Sequence, residues 1–188
     1  MDAERLARAA RALLRSPFDT KSVVAYLGEL GGSVRADRAY VFELEHGPGV
    51  GVTSSQRFEW NAGDAAPQID NPELQGIRVE ELFAHWLETL GRGEPYFGVV
   101  RDLPVADQAI LGPQDVLSLL VCPIRVQGEL WGFVGFDDCQ REREWSPTER
   151  QVLSGASVAL AAALRHRDVQ QRLSVARAAL AMALDAAT

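Results

Sequence analysis

The chain has 188 residues, with 19 basic against 26 acidic side chains and a formal net charge of -7. At 47% hydrophobic and 24% charged it can bury a sizeable core in one domain or at most two, which excludes a disordered or fibrous protein. The acidic balance excludes the clustered Lys and Arg of a non-specific nucleic-acid binder.

Leu6, Ala10, Leu13 and Leu14 recur at helical spacing between Asp2 and Arg15 and stop at Ser16-Pro17, which predicts an amphipathic N-terminal helix over 1–16. Asp19 or Thr20 caps a second helix with Val23, Val24, Leu27 and Leu30 on its apolar face and Gly31-Gly32 as its positive-φ stop. The period then changes to two. Tyr40, Phe42 and Leu44 alternate with Glu43 and Glu45, His46-Gly47-Pro48-Gly49 turns the chain, and Val50 to Trp60 returns as the second arm of an antiparallel hairpin. Residues 61–71 read as a loop, and Pro72-Glu73-Leu74 opens a single helical turn. A helix over Glu80–Leu90 places Leu82, Phe83, Trp86, Leu87 and Leu90 on one side. Tyr96–Arg101 reads as a strand, and Asp102-Leu103-Pro104 introduces a short helix ended by Gly112-Pro113.

Leu117–Val126 and Leu130–Asp138 flank Gln127-Gly128, the residues of a two-residue hairpin turn. That register sets Cys122 opposite Phe133, Ile124 opposite Trp131, Val121 opposite Val134 and Leu119 opposite Phe136, with Pro123 marking an irregularity. Both faces of the hairpin are apolar, so both must be covered, which predicts the centre of a three-layer arrangement. The two cysteines, Cys122 and Cys139, are too far apart in this register to bridge. Ser146-Pro147-Thr148-Glu149 is a capping box that starts a long helix. Leu153, Ala156, Leu160 and Leu164 continue it; after a phase slip Val169, Leu173, Ala176, Leu180 and Ala183 follow at steps of 4 and 3, a heptad seam that asks for a second copy of itself. The stretch 156–164 is far shorter than the roughly 20 residues of a membrane span, and the charged N-terminus lacks a secretory core, so a cytoplasmic protein is expected.

This order of elements resembles a GAF domain, the small-molecule sensory module of bacterial signalling proteins. Six runs carry the likeness: Arg38-Ala39-Tyr40-Val41-Phe42, Gln56-Arg57-Phe58-Glu59-Trp60, Pro67-Gln68-Ile69-Asp70-Asn71-Pro72, Ser118 to Ile124, Trp131 to Asp138, and Arg143-Glu144-Trp145-Ser146. They are similar to a subgroup found ahead of histidine-kinase and cyclic-di-nucleotide modules, and the likeness covers 17–165. The resemblance implies an α+β fold, a central antiparallel sheet of five or six strands with the terminal helices on one face and a pocket under loops and short helices on the other. It leaves 166–188 as a heptad-bearing signalling helix. It also supplies ligand patterns to compare. The Asn-Lys and downstream Phe, Asp-Glu set of cyclic-nucleotide binders is absent, and 104–114 holds neither the Cys nor the His of bilin binders. The cysteine set of the methionine-sulfoxide reductase members is missing too. Cyclic nucleotide and bilin are therefore disfavoured, no cofactor is expected and no enzyme is expected.

Arg57 and Arg101 lie in predicted strands among aromatics, where a guanidinium meets an anion or stacks on a ring, although a surface ion pair is the plainer reading. Trp60, Trp86, Phe97 and Trp131 are the aromatic candidates for a pocket lining, with plain core as the alternative. Cys122 is a candidate redox thiol against the simpler buried one. His85 beside Trp86 is weighed as a haem or metal ligand against an ordinary helix histidine. Asp137 and Asp138 point to opposite faces and so form no acid-base dyad. The dimer candidates are Leu6, Leu13, Leu160, Leu164, Val169, Leu173 and Leu180, in a bundle of terminal helices. The expected function is a sensor that binds a small ligand and signals through that bundle to an output module; the alternative is a ligand-free dimerisation scaffold, and an enzyme built on Cys122 is a third.

Overall fold

The computed structural model describes residues 2–47, 51–63, 65–79 and 84–185. Two helices open the chain. In α1 (Ala3–Arg15) the Asp2 carboxylate accepts from the Arg5 amide, and in α2 (Thr20–Val34) Asp19 accepts from the Ser22 amide, each satisfying a donor that has no partner inside its helix. Strands β1 (Arg38–Gly47), β2 (Gly51–Asn61) and β3 (Ile77–Arg78) follow, then the short helix α3 (Ala84–Gly91), β4 (Tyr96–Val99) and α4 (Val105–Leu111). Then come β5 (Ser118–Val126), β6 (Glu129–Asp138) and the 39-residue helix α5 (Pro147–Asp185). The six strands form one sheet in the order β3-β2-β1-β6-β5-β4, each neighbouring pair antiparallel. The α+β class and the six-stranded antiparallel sheet match the sequence expectation. The two-residue β3 has no alternation to read and was outside it.

The sheet separates two apolar layers. On one face Ala39, Val41, Leu120, Cys122, Val134 and Phe136 pack under α1, α2 and the first half of α5. On the other, Tyr40, Phe42, Leu119, Val121 and Phe133 pack under α3, α4 and the loops. Each such side chain contributes roughly 1.5–3 kcal/mol by leaving water, so a sheet apolar on both sides is stable only as the middle of three layers.

Three sequence expectations change here. Gly31 and Gly32 do not stop α2, which runs on to Val34 and ends with Arg35 in the left-handed region at φ 54°. Gly31 is there because the Trp60 indole lies on it: a Cβ at that position would sit 2.4 Å from Trp60 Cζ3. The β5–β6 register holds only next to the turn, where Gln127 and Gly128 both have positive φ and Val126 pairs with Glu129. A bulge between Ile124 and Arg125 then shifts it by one, so Cys122 pairs with Val134, Ile124 with Gly132, Val121 with Gly135 and Leu119 with Asp137. Four of the dimer candidates are spent inside the chain: Leu13, Leu160 and Leu164 are buried in the helix-side core and Leu6 packs against it. Val169, Leu173 and Leu180 are exposed.

The capping box forms as read, with the Ser146 amide donating to Glu149 Oε2 at 2.8 Å and the Glu149 amide donating to Ser146 Oγ at 3.3 Å. Cys122 and Cys139 are both free thiols. The expected Pro48-Gly49 turn and the Glu80–Phe83 start of the expected helix lie outside the described residues. No helix among the described residues is long and apolar enough to cross a membrane.

Candidate functional site

The face of the sheet away from the terminal helices carries a polar floor in an otherwise apolar layer. Arg38, Tyr40 and Phe42 come from β1, Gln56 and Glu59 from β2, and Phe133 and Asp137 from β6. Gln68, Leu74 and Ile77 from the segment after β2, Trp86 from α3, Ile110 and Leu111 from α4, and Gln114 form the roof. The cavity they enclose is about 30 Å³, space for one or two waters.

Arg38 is 1% exposed and reaches three elements at once. Its Nε lies 3.3 Å from Asp137 Oδ2, while Nη2 donates to the Gln114 carbonyl at 2.7 Å and Nη1 to the Ala66 carbonyl at 3.4 Å. Tyr40 donates its hydroxyl to Asp137 Oδ1 at 2.9 Å. Burial pushes the Asp137 carboxyl up to about 6, outweighing the opposite pull of Arg38 and Tyr40, and drives the Tyr40 phenol well above its ordinary value. Glu59 pins the roof, accepting from the Gln68 and Ile69 amides at 2.8 and 3.0 Å. Behind Arg38 and Gln114 an open cleft of about 780 Å³ runs past Ala65, Ala66, Gly112 and Gln140 to Arg101 and Glu142. These two residues are the partition between cavity and cleft, since both line each space.

The structure does not bring the seven candidate ligand residues together. Trp86 lines the cavity, and Arg101 borders the cleft, paired with Glu142. Arg57 is held by Glu43 and Glu45 on the exposed side of the β1–β2 hairpin. Trp60 and Trp131 pack against the helix-side core, and Cys122 lies within it, its Sγ 3.6 Å from Ser154 Oγ on α5. Phe97 lies at the edge strand with the Arg150 guanidinium over its ring, 4.6 Å from the centroid. His85 Nε2 lies 3.0 Å from Asp107 Oδ2, which also accepts from the Tyr96 hydroxyl at 2.5 Å, so this histidine fastens α3 to α4 over the cavity. Asp137 and Asp138 do face opposite ways: Asp138 is turned toward Arg141 and Arg143.

The cavity residues Arg38, Tyr40, Gln56, Glu59 and Gln68 were not singled out, and Asp137 was weighed only as half of a dyad with Asp138, yet each lies in a run that carried the family resemblance. The sequence signal was those polar residues inside apolar strands. Alternation along β2 misassigns them because a bulge makes Arg57 an extra residue: Val41 pairs with Phe58 but Phe42 with Gln56. Gln56 and Glu59, three apart, therefore share the cavity face, while Phe58 and Trp60 turn to the helices.

An antiparallel sheet with terminal helices on one face and a lidded polar cavity on the other defines a class of small sensory α+β domain. A family model described as GAF domain matches residues 2–164, and the chain belongs to that family. It is 47% identical over 135 residues to the methanogenesis regulatory histidine kinase FilI of Methanothrix harundinacea, covering 72% of this chain and 15% of FilI. It is 26% identical over 166 residues to an uncharacterized protein of Azorhizobium caulinodans, covering 85% of this chain and 23% of that one. The chain thus spans less than a quarter of either relative. Among solved structures, the far-red absorbing dark state of a protein with bound biliverdin IXα aligns at TM-score 0.73 and 16% identity over 87% of this chain and 99% of that one. A phycoerythrobilin-bound GAF domain from a cyanobacterial phytochrome aligns at TM-score 0.73 and 18% identity over 91% and 98%.

These neighbours overturn the expectation that no cofactor is bound and that the bilin class is set aside. The sequence argument looked for a linking Cys or His in 104–114, which bears on a covalent tie alone; the bilin-bound neighbours share the fold of this chain regardless of that tie.

Proposed function

We propose that this chain is the sensing segment of a regulatory protein, in which a small molecule held between the sheet and its lids alters the setting of α5 and so the activity of an attached output module. The observation that carries this reading is the buried Arg38–Asp137–Tyr40 set facing a cavity. Buried charge is costly unless it is fully satisfied, and a purely structural layer is more stable with apolar residues there. The regulatory histidine kinase relative favours a kinase as the output. The reading places no chemistry on Cys122: burial pushes its thiol up to about 11, far from a nucleophile at neutral pH.

Transmission through a homodimer is supported by the faces of α5. At 100° per residue, Val169, Leu173, Ala176 and Leu180 lie nearly opposite the buried stripe of Leu153, Ala156, Leu160 and Leu164. The exposed Val158 continues the seam down into the domain-bound half of the helix. A helix with one face in the core and the other apolar and bare suits a partner helix.

Native mass spectrometry of the protein from its source cytoplasm, before and after denaturation, tests both parts. A dimer carrying an extra mass that unfolding releases supports the sensor, and absorbance of the released fraction identifies a bilin. A clean apo dimer moves weight to the second reading, a ligand-free dimerisation scaffold, which the small 30 Å³ cavity favours. A monomer removes the bundle.

A further inference from the structure

We infer that His85, Asp107 and Tyr96 form a proton-operated latch on the roof of the cavity: the imidazolium clasps α3 to α4, and loss of its proton lets the two helices part and opens the space beneath them. The inference rests on the sensor reading and adds the regulation of that same site. Asp107 is the centre of the cluster. Its side chain is 0% exposed, and both of its bonds converge on Oδ2, from His85 Nε2 at 3.0 Å and from the Tyr96 hydroxyl at 2.5 Å. Its Oδ1 has no hydrogen-bond partner. A carboxylate shut away from water with one oxygen unanswered is costly unless a cation sits beside it. Among the described residues His85 is its one ion-pair partner, so the imidazole alone can supply that charge.

The imidazole is 39% exposed and so exchanges protons with solvent, and a histidine side chain changes charge between about pH 5 and 8. The groups around it are few. Burial, with the Asp107 bond behind it, drives the Tyr96 phenol well above its ordinary value, so it stays a neutral donor throughout. Glu88 on α3 is exposed and paired with Arg92; the strands below bring the apolar Val121 and Phe133, and Asp137 lies on the cavity floor. With His85 charged, the buried pair carries no net charge. With His85 neutral, Asp107 keeps a buried charge that only water can answer, and water reaches it when α3 and α4 separate. Closure is thus coupled to the His85 proton, and opening is favoured as pH rises. The far end of α3 is the hinge, where Arg125 of β5 donates to the Gly91 carbonyl at 2.6 Å. Trp86, beside His85, and Ile110 and Leu111 of α4 line the cavity, so parting the helices widens its enclosed space of about 30 Å³ directly.

Hydrogen exchange of the full chain, followed by mass spectrometry at about pH 5.5 and about pH 8 and divided by the intrinsic rates, reads the latch at the α3 and α4 amides. The expected result is that their protection falls about tenfold over this range in the native protein and is unchanged in His85→Gln, which keeps a donor for Asp107 but takes up no proton. Asp137, pushed up to about 6, changes charge in the same window; it is present in both proteins, so the difference between them carries the result. Asp107→Asn, which removes the buried charge and keeps the shape, should be equally flat, and it serves if His85→Gln fails to fold. A parallel loss of protection in the native protein and the variant overturns the latch, and so does native protection that is flat or rises with pH. The sensor reading fails on different grounds, when native mass spectrometry finds no retained molecule; pH-independent protection beside a retained molecule refutes the latch and leaves that reading standing.

Discussion

Asp137 sits where three demands meet: it neutralises Arg38, accepts from Tyr40 and is shut away from water. Its carboxyl, at about 6 in the fold against an ordinary 3.8, binds a proton more tightly folded than unfolded. Its contribution to stability is therefore complete below the ordinary value and is lost as pH rises through about 6. Asp137→Asn mimics the protonated form at every pH, so between pH 4 and pH 7.5 the native protein should lose about 2 kcal/mol relative to that variant. Urea denaturation of both at the two pH values reads the difference, and a constant gap refutes it. A second contrast lies in α2. Gly31→Ala drives a methyl group into the Trp60 ring and should destabilise by about 1–3 kcal/mol. Gly32→Ala, with nothing within 4 Å, should stabilise by about 0.5–1 kcal/mol through helix propensity alone. Thermal melts of the pair would show opposite signs, and like signs would remove the packing argument for Gly31.

At the scale of elements, what was legible in the sequence was whatever depends on local chemistry. The Asp19 cap, the Ser146–Glu149 box and the Gln127-Gly128 turn are each a side chain or a backbone angle satisfying its neighbours, and each formed. What was not legible depends on bulges. Arg57 in β2 and the irregularity after Ile124 in β5 each move every later side chain to the other partner or face, and no composition marks them except, loosely, Pro123. Hence Trp60 was expected in the site and Gln56 and Glu59 were not. The leucines of α5 show a related ambiguity, because core and seam share one spacing. They separate by consequence: Leu160→Ala, at a fully buried position, should cost about 2–5 kcal/mol in unfolding free energy. Leu173→Asp, on the seam, should leave the domain's stability intact while sedimentation shifts from dimer to monomer. A Leu173→Asp protein that still sediments as a dimer places the interface elsewhere.

At the scale of the molecule, membership of the GAF family was readable because four of its six motif runs supply residues that line the cavity, whereas the cavity's polar lining was not, since it depends on the strand register after folding. The single helix α5 has a further implication. It spans both the domain core and the free seam without a break over 39 residues, so the angular setting of the seam relative to the cavity is counted in residues. Two residues inserted between Leu164 and Val169 turn everything beyond by about 200°, whereas four turn it by only about 40°. The first insertion should reverse or silence the output of a fused kinase and the second should preserve it. Under the proposed function the domain would work as a cam on a shaft, and the length of the shaft, more than its sequence, would set whether a bound molecule means on or off.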